Sequence, residues 1–170
     1  MTSSRDWALD AETKALEAPH DHKNELRLWL RLMTCSNMVE AEIRRRLREQ
    51  FDVTLPRFDL MAQLERAPNG MTLGDISKRM MVSNGNVTGL VERLVESGHL
   101  ARSSPPNDRR VQIIALTEAG RAAFADMARQ HEEWIAGMFE GLSPRDVEAL
   151  LKSLAKLKIS VQSATRPDEA

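Results

Sequence analysis

Between Ser83 and Glu96 the chain reads SNGNVTGLVERLVE, and as a helix this stretch has only one face that can pack. At about 100° per residue, Val87, Leu90, Val91, Leu94 and Val95 fall together and must turn inward. The opposite side carries Gly85, Gly89, Glu92 and Glu96, flanked by Asn86, Thr88 and Arg93. A glycine inside a helix is destabilising by roughly 1 kcal/mol relative to alanine. Two of them one turn apart make physical sense where another surface must approach the backbone closely. The helix N-terminus points bare amides outward, which suits a phosphate. Ser83, Asn84, Asn86 and Thr88 can bond to base edges or phosphates, and Arg93 can fork onto guanine or phosphate. A surface helix of poor propensity is the competing reading, and the glycines alone do not exclude it.

The flanking segments shift that balance. Leu73, Ile76 and Met80 turn inward on a short helix beginning at Thr72, and a tight turn at Met81 to Ser83 follows, as in helix-turn-helix units. Downstream, Gly98 is placed to end the helix in a left-handed conformation. His99 to Ser103 and Arg110 to Leu116 then form a hairpin around Ser104-Pro105-Pro106-Asn107-Asp108, with Val111 to Leu116 as a strand. Arg102, Arg109 and Arg110 surround its exposed tip, where arginine can enter a narrow minor groove. Asp108 cannot meet phosphate favourably and would orient a neighbouring arginine. The charge pattern agrees: net charge is −1, yet Thr72 to Arg110 holds six basic residues against four acidic. This is the only net-positive stretch, and duplex DNA is the partner it suits.

Long helices enclose this centre. His22 to Gln50 carries Leu26, Trp29, Leu30, Met33, Asn37, Val39, Ile43 and Leu47 at three- and four-residue steps. Pro56 suits the first turn of a helix with Phe58, Leu60, Met61 and Leu64, ended by Pro68-Asn69-Gly70. Thr117 caps a helix running to about Phe139. Ser143-Pro144-Arg145-Asp146 opens the last one, striped by Val147, Leu150, Leu151, Leu154, Leu157 and Val161. That stripe is wider than a small core can cover, so it is expected to serve partly in intramolecular packing and partly as a two-fold interface. The predicted class is α+β, mostly α: a winged helix-turn-helix with long N- and C-terminal helices forming a dimerisation domain. The expected divisions are a flexible arm (1–21), a helical dimerisation region (22–55 and 117–163), a DNA-binding lobe (56–116) and a disordered tail (164–170). Two-fold pairing sets two recognition helices about 34 Å apart, which implies a pseudo-palindromic operator.

Other chemistries find little footing. The single cysteine, Cys35, excludes an intrachain disulfide and a CxxC zinc site. His20, His22, His99 and His131 are scattered, so no metal site is expected. No nucleophile elbow, phosphate loop or HExxH occurs, which argues against an enzyme and leaves no cofactor to expect. No apolar run of membrane-spanning length and no secretory h-region is present, so a cytoplasmic protein without membrane contact is expected. Arg44, Arg45, Arg46 and Arg48 can touch phosphates, or simply form a solvated helix face.

At Asp108-Arg109-Arg110 and Ile114-Ala115-Leu116-Thr117-Glu118-Ala119-Gly120 the chain resembles the signature of the MarR family of transcription regulators. The resemblance runs from about His22 to Val161. It implies winged-helix homodimers with interlocking terminal helices, Ser83 to Arg93 in the major groove and Arg109 or Arg110 in the minor groove. Leu55 to Met61 together with Ser83 to Gly89 is similar to a subgroup controlling aromatic-acid degradation, of the benzoate and hydroxycinnamate type. That likeness implies a repressor released by a small aromatic acid or its coenzyme A thioester. The ligand would lie between the helical region and the DNA-binding lobe, near Trp29, Met33, Asn37, Arg57, Phe58 and Met61. For Trp29 and Met33 a place in the core competes with ligand contact; for Asn37 and Arg57 both readings stay open. Cys35 allows a redox-sensing repressor as an alternative, although a buried or neutral cysteine is expected between Thr34 and Ser36. A protein-interaction adaptor of the same fold without DNA binding is the alternative from a different class.

Overall fold

The computed structural model describes residues 23–104 and 111–165. The elements run α1 (Lys23–Phe51), α2 (Leu55–Glu65), β1 (Met71–Thr72), α3 (Leu73–Met80), α4 (Asn84–Glu96), β2 (Leu100–Ser103), β3 (Ile113–Leu116), α5 (Glu118–Met138) and α6 (Pro144–Ala164). The chain divides into two compact units between Glu132 and Glu133, within α5.

In the first unit, α1 buries only Ile43 and Leu47. Upstream, Leu26, Leu28, Trp29, Met33 and Met38 are exposed, and Leu30, Leu32 and Val39 are half-buried. The helix ends where Asp52 turns left-handed at φ 52°. The amides of Asp52 and Val53 then bond back to the carbonyls of Arg48 and Leu47 at 3.2 Å, a Schellman-type stop in which a short polar residue tolerates the position usually given to glycine. Thr54 precedes α2, which has Pro56 in its first turn, where a missing amide does no harm. Phe58, Leu60, Met61 and Leu64 of α2 are buried.

Thr72 has two roles. Its hydroxyl accepts from the Asp75 amide at 3.1 Å, capping α3, and donates to the Asp75 carboxylate at 2.7 Å. It also pairs with Ile113, while Met71 pairs with Ile114. The sequence reading has a helix start here and no strand, because a two-residue strand exists only through its partner. The sheet order is β1-β3-β2, antiparallel throughout. The second hairpin strand is shorter than expected, beginning at Ile113 rather than Val111.

The core draws Leu47, Leu60, Met61, Leu64, Ile76, Val87, Val91 and Ile114 from α1 to α4 and β3, each essentially inaccessible. Each such side chain stabilises by about 1.5–3 kcal/mol relative to exposure. No polar or charged residue is buried among the described ones. At the end of α4, Gly98 takes φ 75° as expected. Its carbonyl receives the Thr117 hydroxyl at 2.7 Å. The same hydroxyl accepts from the Gly120 amide at 2.9 Å, so Thr117 caps α5 and ties it to the base of the wing. Gly120 lies so close that a Cβ there would stand 2.0 Å from the His99 carbonyl oxygen.

In the second unit Trp134 is buried. Ser143 and Asp146 form a capping box at the start of α6: the hydroxyl accepts from the Asp146 amide at 3.2 Å and the carboxylate from the Ser143 amide at 2.9 Å. The Ser143 hydroxyl, donating to the same carboxylate at 2.6 Å, and then the Ser143 amide hold the Asp146 carboxyl below its ordinary value. Part of the α6 stripe was expected to pack inside the subunit, yet α6 has no buried residue. Leu150, Leu151 and Leu154 are 48%, 64% and 44% exposed.

Candidate nucleic-acid interface

The turn between α3 and α4 sets the first end of the site. Met81 adopts φ 55°, its amide bonds to the Lys78 carbonyl at 3.3 Å, and the Val82 amide reaches the Ser77 carbonyl at 3.2 Å. The Ser77 hydroxyl donates to the Val82 carbonyl at 2.5 Å. This closes the turn and lets Ser83 begin α4 in an extended conformation. Its hydroxyl accepts from the Asn86 amide at 3.4 Å. Thr88 donates to the Asn84 carbonyl at 2.9 Å. Asn84, Gly85 and Asn86 are exposed, so the first turn of α4 presents amides and carboxamides to solvent.

Val87, Val91 and Leu94 are buried, while Leu90 and Val95 are half-buried, so the inward face is the expected one. The outward face is open. A Cβ built at Gly85 or Gly89 meets nothing within 4 Å. The two glycines therefore answer to no packing need among the described residues, although each lowers helix propensity. Arg93 is exposed one turn beyond Gly89, and Glu92 and Glu96 share the outer side. Those carboxylates disfavour a polyanion at the C-terminal end, and the N-terminal half carries none.

Cations divide by location. On α1, Arg44 pairs with Glu40, Arg45 with Glu42 and Glu49, and Arg46 with Glu42. Hydrogen bonds from Arg45 and Arg46 hold the Glu42 carboxyl at about 2, and those from Glu42 and Glu49 push the Arg45 guanidinium up. Arg44, Arg45 and Arg46 are satisfied along their own helix, whereas Arg48 is exposed and makes no ion pair among the described residues. Lys78, Arg79, Arg93 and Arg102 are exposed and make no ion pair among the described residues. Lys78 and Arg79 were not singled out from sequence; a Lys-Arg pair in the last turn before the tight turn was the available signal. Arg102 stands on β2 opposite Ile114. Asp108, Arg109 and Arg110 lie outside the described residues.

The six residues proposed for a ligand separate by burial. Trp29 (57% exposed), Met33 (36%) and Asn37 share an exposed stretch of α1, so the core reading of Trp29 and Met33 does not hold within the chain. Phe58 and Met61 are core residues, and Arg57 is half-buried. Phe58 packs instead on Phe124 and His131 of α5, with ring centroids 5.4 and 5.1 Å away. Beside it, desolvation and then the Glu40 charge raise the Asp59 carboxyl, against smaller opposing effects of His131 and Arg44. An open cleft has Met71, Asp75, Lys78, Arg79 and Ile113 among its lining residues and none of the six. Cys35 is exposed, so of the expectation of a buried or neutral cysteine the burial does not hold. Among the described residues no cluster of metal-ligating side chains occurs and no helix is long and apolar enough to cross a membrane.

Comparison with known proteins joins these features. The model of the MarR family matches residues 53–111, from just before α2 to just short of β3. The transcriptional activatory protein BadR of Rhodopseudomonas palustris is 33% identical over 142 residues, covering 81% of each chain. Among solved structures, a MarR family transcriptional regulator from Silicibacter pomeroyi superposes with a TM-score of 0.70 at 30% identity, covering 87% of this chain and all of that one. Streptococcus pneumoniae FabT in complex with DNA gives a TM-score of 0.70 at 25% identity, over 82% of this chain and 98% of that one. With a capped, outward-facing α4, a three-stranded wing sheet and relatives matched over most of its length, the chain belongs to the MarR family of winged-helix transcriptional regulators, not to a family of enzymes.

Proposed function

We propose that the chain binds a pseudo-palindromic operator as a homodimer, with the N-terminal half of α4 in the major groove and Arg109 or Arg110 in the minor groove. The observation that carries this reading is the open glycine face of α4, beside cations that make no ion pair among the described residues. Ser83, Asn84, Asn86 and Thr88 supply polar groups to bases or phosphates, Arg93 and Arg102 supply charge, and Asp108 orients the wing arginines. Residues 22–55 and 117–163 form the dimerisation region around the 56–116 lobe. The solvent-facing apolar stripe of α6 supports that assignment, since such a stripe is ordinarily covered by a partner. Affinity for operator should fall steeply with salt, because each phosphate contact releases counterions. Arg109→Ala or Arg110→Ala should weaken binding by about 1–3 kcal/mol and flatten the salt slope by about one per lost contact in each half-site. An adaptor without DNA binding would show no salt-dependent duplex affinity.

The regulated genes are proposed to serve aromatic-acid catabolism, with a small aromatic acid or its coenzyme A thioester as effector. The similarity of residues 55–61 and 83–89 to that subgroup supports this, as does the exposed Trp29, Met33 and Asn37 face. Effector is expected to lower operator affinity roughly 5- to 150-fold, the range of ordinary allosteric coupling. Equal affinity with and without each aromatic acid and thioester tested would remove the effector and leave operator binding standing. Repression is the primary reading. Activation is the second, favoured by the relative named a transcriptional activatory protein; a promoter reporter with and without the gene separates the two.

A further inference from the structure

Met81 is 92% exposed and sits at φ 55°, a left-handed conformation that strains a residue bearing a Cβ by about 1–2 kcal/mol. Glycine would meet the same backbone requirement without strain. The side chain contributes nothing to the core either. Its surroundings are informative: Lys78 and Arg79 precede it on α3, exposed and without an ion pair among the described residues, and Ser83 caps α4 two residues later. An apolar side chain set among cations, beside a helix end that presents amides, complements a polyanion that carries apolar groups between its phosphates. Duplex DNA is such a surface, with the thymine C5 methyl projecting into its major groove.

We propose that Met81 is a specificity-determining residue, its thioether packing on a thymine methyl in each half-site while Lys78 and Arg79 pair with flanking phosphates. This rests on the reading of the chain as an operator-binding regulator. The test starts with duplexes enriched from a random pool by the full-length wild-type protein. Each thymine of the enriched site is then replaced in turn by deoxyuridine, which removes only the methyl. Wild type is expected to lose about fourfold in affinity at one position per half-site, the worth of one buried methyl. Met81→Gly, which relieves the backbone strain and should melt no lower than wild type, is expected to bind thymine and uracil duplexes equally, at the wild-type level for uracil. Met81→Gly retaining both full affinity and the methyl preference overturns the proposal, as does a wild type indifferent to every replacement. If no duplex is enriched at all, operator binding itself fails, an outcome distinct from enrichment without a role for Met81.

Discussion

Replacing Gly85 and Gly89 together by alanine is expected to move folding stability and operator affinity in opposite directions. Neither new methyl meets an atom of the described residues within 4 Å, so the intramolecular consequence there is better helix propensity. Two such changes amount to about 2 kcal/mol and raise the melting temperature by roughly 4–8 °C for a chain of this size. At a surface where DNA approaches the backbone, the same methyls intrude on close contact. Overpacking of this kind is destabilising by about 1–3 kcal/mol, which lowers affinity roughly 5- to 150-fold. Thermal melts and binding isotherms on one preparation check both halves. A more stable variant with unchanged affinity would place the contacting surface elsewhere.

The second large effect is expected at Gly120. Its would-be Cβ stands 2.0 Å from the His99 carbonyl oxygen and 2.9 Å from the carbonyl carbon, and both atoms are backbone. A flexible side chain can swing away from such a clash; a strand-leading carbonyl cannot without breaking its bond from the Thr117 amide at 3.0 Å. Gly120→Ala should therefore destabilise by about 3 kcal/mol or more, read as a lower midpoint in urea unfolding at unchanged slope. A loss below about 0.5 kcal/mol, the size of an ordinary surface change, would show that the start of α5 can drift from the wing base.

What could be read from sequence was mostly local. Ser143 and Asp146 form a capping box because residues three apart meet at any helix start, and Gly98 is left-handed because helix stops favour glycine there. The inward Val87, Val91 and Leu94 follow from helical periodicity alone. Long-range pairing was harder. β1 is invisible as a pattern, since Met71 and Thr72 become a strand only by meeting Ile114 and Ile113 some forty residues on. Periodicity also showed that Trp29 and Met33 share a face, but it cannot say what covers that face.

Charge was legible in sum and not in pairing. Counting cations gives Arg44 to Arg46 the same standing as Lys78 and Arg79. Carboxylates three and four residues away on α1 occupy the first group, and no described carboxylate pairs with the second. That contrast was partly available from i, i+4 spacing. The wing signature gave no geometric reason for its threonine and glycine. The reason is the triple engagement of Thr117 and the bare approach of Gly120 to His99.

That joint has no slack. One hydroxyl bridges the end of α4 to the first turn of α5, and the space a side chain would need as a cushion is already filled by main chain. A tilt at the start of α5 must then arrive at β2 undiminished, so the hairpin behaves as a pointer welded to that helix axis. A rotation of a few degrees at the weld becomes a sideways shift of about one ångström at Ser103 and Ile113, where the described strands end.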